Sequence, residues 1–335
     1  MKTKNLLGKL SLLTLLALAT QSCKKENGID NNNVIQRPYV LYAVDKQGTL
    51  YKTNDGTNYK TIFSGDGTPI RSMTVSKNNL IIVKNATVFY SKNEGRTFDA
   101  IPNLNVSVPT NIKWPGFLLD VPKFKTVQLV NVSGFGGLSI SPSHGEYYNA
   151  DTAWTEAAPS TESLTIAGDD VLFCYSLVGS KLYMRTDSAA KWRQRDAGSL
   201  PKPYNFYLSH FGKTLIATDY DGLEGSWYSI DSGNSFKQYT GVPKTTLYAT
   251  YGAFEKLLIG TDSGVYVAEG TKFTASNTGL AGLTKVYSIV AKDNYYKNDA
   301  TKKVIYIATD KGIYRSEDMA KSWVKVKDGD HRLLY

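Results

Sequence analysis

Ser91–Phe98, reading SKNEGRTF, places a hydroxyl, an amide, an acid, a glycine and a cation within eight residues. Those groups suit two tasks. Converging in a cleft, they bind or cleave a polar substrate. Folded into a turn, the short Asn93 side chain accepts bonds from nearby backbone N–H groups, and Gly95 supplies a backbone angle other residues avoid. Recurrence along the chain decides between the two.

The pattern Ser–x–Asn–x–Gly–x–Thr–Phe recurs in register. SIDSGNSF (229–236) carries Asp231 in the Asn93 place, and SEDMAKSW (316–323) carries Asp318, with Ala320 for the glycine. KTNDGTNY (52–59) offers Asn54, and SPSHGEYY (141–148) offers Ser143. RTDSAAKW (185–192) keeps Asp187 and the tryptophan, while YVAEGTKF (266–273) keeps only Gly270 and the aromatic. Third positions fall at 54, 93, 143, 187, 231, 268 and 318, a period near 44 residues. A period of that length marks a repeat architecture.

The elements that must hold these turns are strands. KTLIATDYDGLEGSWYS, KLLIGTDSGVYV and KVIYIATDKGIYRS share a β-branched and aromatic run, a Thr–Asp–Gly turn and a second short run. These are hairpins, and no segment carries helical periodicity. The reading is an all-β fold, a seven-bladed β-propeller of four-stranded blades spanning residues 37–335. The first blade lacks an innermost strand: YVLYAV is its second, TLYKT its third, and the fourth follows Tyr59. HRLLY (331–335) is left over at the other end. It is expected to pair into the first blade and close the ring, which removes an exposed edge.

The first 22 residues are read as a leader rather than as part of the fold. Lys2, Lys4 and Lys9 precede the apolar run LSLLTLLALA, which is too short to span a bilayer. TQSC then ends at Cys23, and KKENGIDNNN follows. The arrangement resembles a bacterial lipoprotein signal, with Thr20 and Gln21 where that family has Leu and a small residue. The resemblance implies lipidation of Cys23 and a polar tether over residues 23–36. It also implies an exported protein anchored to the cell envelope, at the outer membrane. The only other cysteine, Cys174, lies in an apolar run and leaves no disulfide partner. The formal net charge is +9, and +6 without the three leader lysines. The lysines are scattered along the sequence with no aromatic-interleaved basic groove, so nucleic acid is not an expected partner.

The repeated boxes resemble the Asp-box of the BNR family, found in sialidases, sortilin-type receptors, some endoglucanases and the photosystem II assembly factor. The resemblance covers the whole folded segment. It implies that each box is the turn between the third and fourth strands of a blade. Asn54, Asn93, Ser143, Asp187, Asp231 and Asp318 are then structural acceptors. Asp45, Asp219, Asp262 and Asp310 occupy tight hairpin turns, and no calcium-loop spacing is present, so neither metal nor cofactor is expected.

Two functions remain open. A sialidase-like glycosidase needs three arginines on a substrate carboxylate, and lysine substitutes poorly there. The chain has eight arginines, of which Arg37, Arg71 and Arg332 could approach the axis, and it has no Arg–Ile–Pro signature. The other function is non-catalytic binding or scaffolding of a protein or glycan by a monomeric propeller. The starts of the innermost strands supply Arg71, Trp114, Tyr207, Tyr248, Tyr287 and Arg332. These side chains either fill the channel or face a ligand.

Overall fold

The computed structural model describes residues 35–37, 39–106, 118–132, 137–154, 164–168, 171–176, 181–196, 199–201, 206–296 and 301–335. The chain divides into two compact units. The larger, Tyr39–Asp293 with Lys303–Tyr335, is a seven-bladed propeller of antiparallel sheets. The smaller comprises Met1–Pro38 with Asn294–Lys302. Within it, Ile35–Arg37 forms a short strand paired with Tyr295 and Tyr296. The polar tether expected over residues 23–36 therefore ends in a strand. Residues 1–34, including Cys23, lie outside the described residues.

Each blade repeats one order. In the second blade Ile70–Ser76 is innermost, followed by Asn79–Lys84, Thr87–Ser91 and Asp99–Asn105. The innermost strands of the other blades are Leu118–Val121, Leu164–Gly168, Phe206–Phe211, Leu247–Ala253, Val286–Tyr296 and, for the first blade, His331–Leu334. The last of these pairs with Leu41–Asp45 in the register Ala43↔Leu334 and Val44↔Leu333, so the ring closes as expected. Among the described residues the only helical element is a single 3-10 turn, Pro122–Phe124. None is a helix long and apolar enough to cross a membrane.

The second strands are apolar over most of their length, as in Leu80–Val83, Leu257–Ile259 and Val304–Ala308. Such strands are covered on both faces, here by the neighbouring blades. Between blades the innermost strands are stitched by hydroxyls. Ser72 accepts from the backbone N–H of Leu118 at 3.2 Å, Thr165 from Leu208 at 2.9 Å, and Ser288 from Leu334 at 3.1 Å. Each bond runs from one blade to the next, and the last crosses the closure.

Four of the boxes form the expected turn. Gly95, Gly145 and Gly233 donate N–H to Ser91, Ser141 and Ser229, each at 2.8 Å, and Ala320 does the same to Ser316 at 2.9 Å. Asn93, Ser143, Asp231 and Asp318 accept from the N–H four residues on. Asp187 accepts from Ala189 and Ala190, with Arg185 in the serine place. Bonds from Ser235 and Ser229 hold the Asp231 carboxyl at about 2. Burial raises that of Asp318, but bonds from Ser322 and Ser316 outweigh it and hold the group at about 2.

Two boxes require correction. In the first blade the acceptor is Asp55, not Asn54: Asp55 takes the N–H groups of Thr57 and Asn58 at 2.9 and 2.8 Å, and Asn54 is exposed. The loop is one residue tighter, with Gly56 N–H reaching Thr53 across three residues instead of four. In the sixth blade Ala268 sits inside strand Gly264–Glu269, and Glu269 pairs directly with Lys272. A two-residue hairpin replaces the box there.

The boxes also dock each blade on the preceding one. A Cβ added at Gly145 would lie 2.4 Å from Ile81 of the second blade, and one at Gly233 would lie 2.4 Å from Leu182 of the fourth. The terminal aromatics do likewise: Phe98 meets Phe63 edge-on at 5.5 Å, and the indole of Trp323 donates to Ser276 O at 2.8 Å. At φ +82, Gly233→Ala adds left-handed strain to an interblade clash. It should cost about 3 kcal/mol, lowering the melting midpoint by about 6 °C in circular dichroism. Ala320→Gly, at a position already left-handed with φ +65, should stay within about 1 kcal/mol.

Candidate functional site

The innermost strands all start at one end of the propeller, and the residues there ring the axis at staggered depths: in blade order their second residues are Arg332, Arg71, Leu119, Thr165, Tyr207, Tyr248 and Tyr287. Trp114 lies outside the described residues. Arg71 is exposed, Tyr207 is buried, and Tyr248, Tyr287 and Arg332 are half-buried.

Four blades in succession contribute to one aromatic row. Tyr220 follows the second strand of the fifth blade and meets Tyr248 at 6.0 Å, nearly perpendicular. Tyr248 meets Tyr287 at 5.0 Å and 67°. The Arg332 guanidinium then stands 3.9 Å above the Tyr287 ring. Its NH2 donates to Asp330 Oδ2 at 2.6 Å. Tyr207 packs beneath with Tyr220, its hydroxyl 2.9 Å from Thr250 Oγ1. The channel-filling and ligand-facing readings thus divide: Tyr207 is packing, whereas Tyr248, Tyr287 and Arg332 retain accessible surface. Sequence reasoning missed Tyr220, whose turn position after Asp219 gave no sign that the ring folds back to the axis.

Asp262 anchors the row. It accepts from the Tyr248 hydroxyl at 2.8 Å and Thr245 Oγ1 at 3.2 Å, and its Oδ1 lies 3.3 Å from Lys285 Nζ. Burial would raise this carboxyl, but bonds from Tyr248 and Lys285 outweigh it and hold it below its usual value. Burial and the Asp262 charge push the Tyr248 phenol up. Burial also raises the Tyr287 phenol, against the opposing charge of Arg332. Two polar atoms in the row, Asp330 Oδ1 and Arg332 Nε, are buried without a hydrogen-bond partner. Such atoms are costly unless something bonds them.

The remaining arginines sit elsewhere. Arg185 pairs with buried Asp151 at 3.0 Å, Arg315 with Glu317, and Arg193 and Arg195 lie on an outer strand. Arg96 is exposed in the second box, and Arg37 lies in the smaller unit. Only Arg71 and Arg332 share the ring.

At the opposite end the structure joins Ser76, His144 and Asp120. His144 Nδ1 is 2.7 Å from Ser76 Oγ, and Asp120 lies near that serine. Burial raises the Asp120 carboxyl, with Ser76 opposing. The order is wrong for nucleophilic catalysis. The imidazole is not oriented by the carboxylate; the serine lies between them with one proton to give, and it is buried. His144 occupies the left-handed turn of the third box, at φ +57, so the contact is a box locked to the preceding blade. Among the described residues no group of three or more His, Cys, Asp or Glu side chains could hold a metal ion.

No protein-family model and no curated protein sequence matches the chain. Solved structures share its fold. YCF48 bound to a D1 peptide is 11% identical over 84% of this chain and 94% of the other, with a TM-score of 0.52. YCF48 from Cyanidioschyzon merolae is 12% identical over 77% and 84%, also at 0.52. The extracellular domain of BT4673 from B. thetaiotaomicron is 13% identical over 87% of this chain and 47% of that one, at 0.51.

Proposed function

We propose that this chain is an exported lipoprotein, acylated at Cys23 and held at the outer membrane. Its monomeric propeller binds a protein or glycan ligand without chemical turnover. One observation carries the binding reading: the Tyr220–Tyr248–Tyr287 row ends in a stacked arginine beside two unpartnered buried polar atoms. Aromatic and arginine side chains dominate recognition surfaces, and aromatic faces also stack on sugar rings. The propeller neighbour solved with a bound peptide supports a peptide as the protein-class ligand.

A sialidase-like hydrolase of extracellular glycans is the second reading, favoured by the Tyr248–Asp262 contact at 2.8 Å. A tyrosine nucleophile with a carboxylate base has that geometry. Against it, Asp262 is already engaged by Lys285, and the ring holds two arginines instead of three.

Screening residues 24–335 on a glycan array, with released sugar measured in parallel, separates the readings. Binding without release is expected. If the array is silent, crosslinking in the native envelope should recover a protein partner. In either case Tyr287→Ala with Arg332→Ala should weaken binding at least about tenfold while the melting curve moves little. Sugar release abolished by Tyr248→Phe would establish the hydrolase instead.

A further inference from the structure

The tyrosine row carries an excess of acid in a chain that is basic as a whole. Repeated turns deliver the carboxylates. Asp219, Asp262 and Asp310 each follow a buried threonine at the end of a second strand, Thr218, Thr261 and Thr309. Asp221 shares the first of these turns, and Asp330 precedes the closing strand. Burial raises all three phenols of the row, and carboxylate charges raise them further. Asp221 and Asp262 act on Tyr220, Asp262 on Tyr248, and Asp310 and Asp330 on Tyr287 against Arg332.

Cations along the row are fewer. Lys285 pairs with Asp262, and Arg332 with Asp330. Asp310 takes the backbone N–H of Lys285 at 2.9 Å. The neighbouring Lys311 turns its ammonium to the carbonyls of Ala281 and Leu283, at 2.6 and 2.5 Å. Asp219 is 1% exposed; its Oδ2 accepts from the Glu224 N–H at 3.0 Å, while its Oδ1 is buried without a hydrogen-bond partner. A buried carboxylate oxygen in that state is costly without a counter-charge. Arg71 and Lys244 lie at the same end of the propeller, so the acid excess belongs to the row and not to the whole face.

The row already holds one cation on a ring face, the Arg332 guanidinium 3.9 Å from the centre of Tyr287. Tyr248, one blade earlier, keeps accessible surface. Aromatic faces beside carboxylates attract an ammonium or guanidinium group. They do not suit a sugar acid, whose carboxylate these aspartates would repel. Nor do the carboxylates converge as ligands of an ion: among the described residues no group of three or more could hold a metal. Their spread along the row matches positive charge carried on an organic chain. We propose that the ligand of the row is a basic peptide segment, which seats a lysine or arginine side chain against Tyr248. This rests on the binding reading of the row given above and narrows its ligand to one class. The net charge of +6 without the leader lysines opposes attachment of such a segment elsewhere on the chain.

The test uses a chain beginning at Lys24, which retains every strand of the propeller. It is titrated by calorimetry with capped peptides of equal length that alternate glycine with arginine, glutamine or glutamate. Binding of the arginine peptide alone is expected, and it should weaken as salt rises. Tyr248→Leu, and separately the double variant Asp221→Asn, Asp310→Asn, should each weaken it at least about fivefold. Asp99→Asn, Glu269→Gln removes the same charge from exposed positions at the other end and should bind as the parent does. The two double variants decide the matter alone if Tyr248→Leu fails to fold. Equal weakening by both doubles, no binding of the arginine peptide, or a preference for the glutamate peptide overturns the proposal. The two readings fail differently. A neutral or acidic ligand that binds the parent and is lost with Tyr287→Ala, Arg332→Ala would leave the row as the site and make only its ligand class wrong. An arginine peptide held equally by the parent and by that variant would remove both.

Discussion

Removing His331–Tyr335 should lower the melting midpoint by more than about 10 °C or abolish the cooperative transition. These five residues join three blades. Leu333 and Leu334 pair with Val44 and Ala43 of the first blade and are 7% and 5% exposed. Tyr335 exchanges backbone bonds with Tyr42 at 2.9 and 3.0 Å. Ser288 of the seventh blade takes the N–H of Leu334, and the Tyr335 hydroxyl reaches Thr74 and Val75 of the second at 3.2 and 3.3 Å. Losing two buried leucines costs at least about 5 kcal/mol before any unpaired backbone is counted. That rivals the whole stability of an ordinary domain. At roughly 2 °C per kcal/mol for a chain of this size, the shift exceeds 10 °C. Leu333→Ala alone, with the strand retained, should cost about 3 kcal/mol. Thermal circular dichroism of the truncated chain is the measurement. A midpoint within a degree or two of the parent would mean that the ring holds without its closing strand.

The fold was legible because its information is local and repeated. Thr–Asp–Gly turns, β-branched runs and a period near 44 residues each recur, and the missing first strand is matched by HRLLY at the other end. Details that depend on one residue of loop length were not legible. Thr53–x–Asp55 and Lys52–x–Asn54 fit the sequence pattern almost equally, and only the tighter path of Gly56 N–H to Thr53 selects Asp55. A Gly–x–Lys–Phe segment in the sixth blade matched the end of a box, yet hairpin pairing from Glu269 to Lys272 removed the turn. Convergence around the ring was the hardest to see. Arg332 and Tyr287 are 45 positions apart in sequence, and ring closure stacks them.

Asp151→Ala should destabilise the propeller by about 3–5 kcal/mol through the charge it strands, more than through the contacts it deletes. Asp151 and Arg185 are each 5% exposed, and their 3.0 Å pair joins the third blade to the fourth. The same carboxylate accepts from the Trp192 indole at 2.8 Å and the Ala153 N–H at 2.9 Å. Trp192, fully buried, stacks on Trp154 at 5.1 Å. Arg185 keeps its backbone partners in the box turn, the carbonyls of Asp187 and Ser188 at 3.1 and 2.5 Å. It also lies over Phe124 and Trp192 at about 6 Å. Without Asp151 the guanidinium stays trapped among those groups with only the exposed Asp187 carboxylate as counter-charge, and the indole loses its bond to the carboxylate. Arg185→Met removes the cation and retains apolar volume, so Asp151 keeps its indole and backbone donors and the cost falls to about 2 kcal/mol. The double variant Asp151→Ala, Arg185→Met should then be more stable than Asp151→Ala alone, since the second change removes the stranded charge. Urea unfolding of the four proteins measures the cycle. Strict additivity would mean that water reaches Arg185 at no cost and that packing around Trp192 holds this interface. A double variant above the single one assigns the interface to charge compensation. Arginine in the serine place of the fourth box would then be a compensated substitution that gives this blade junction an ion pair where other boxes use a hydroxyl.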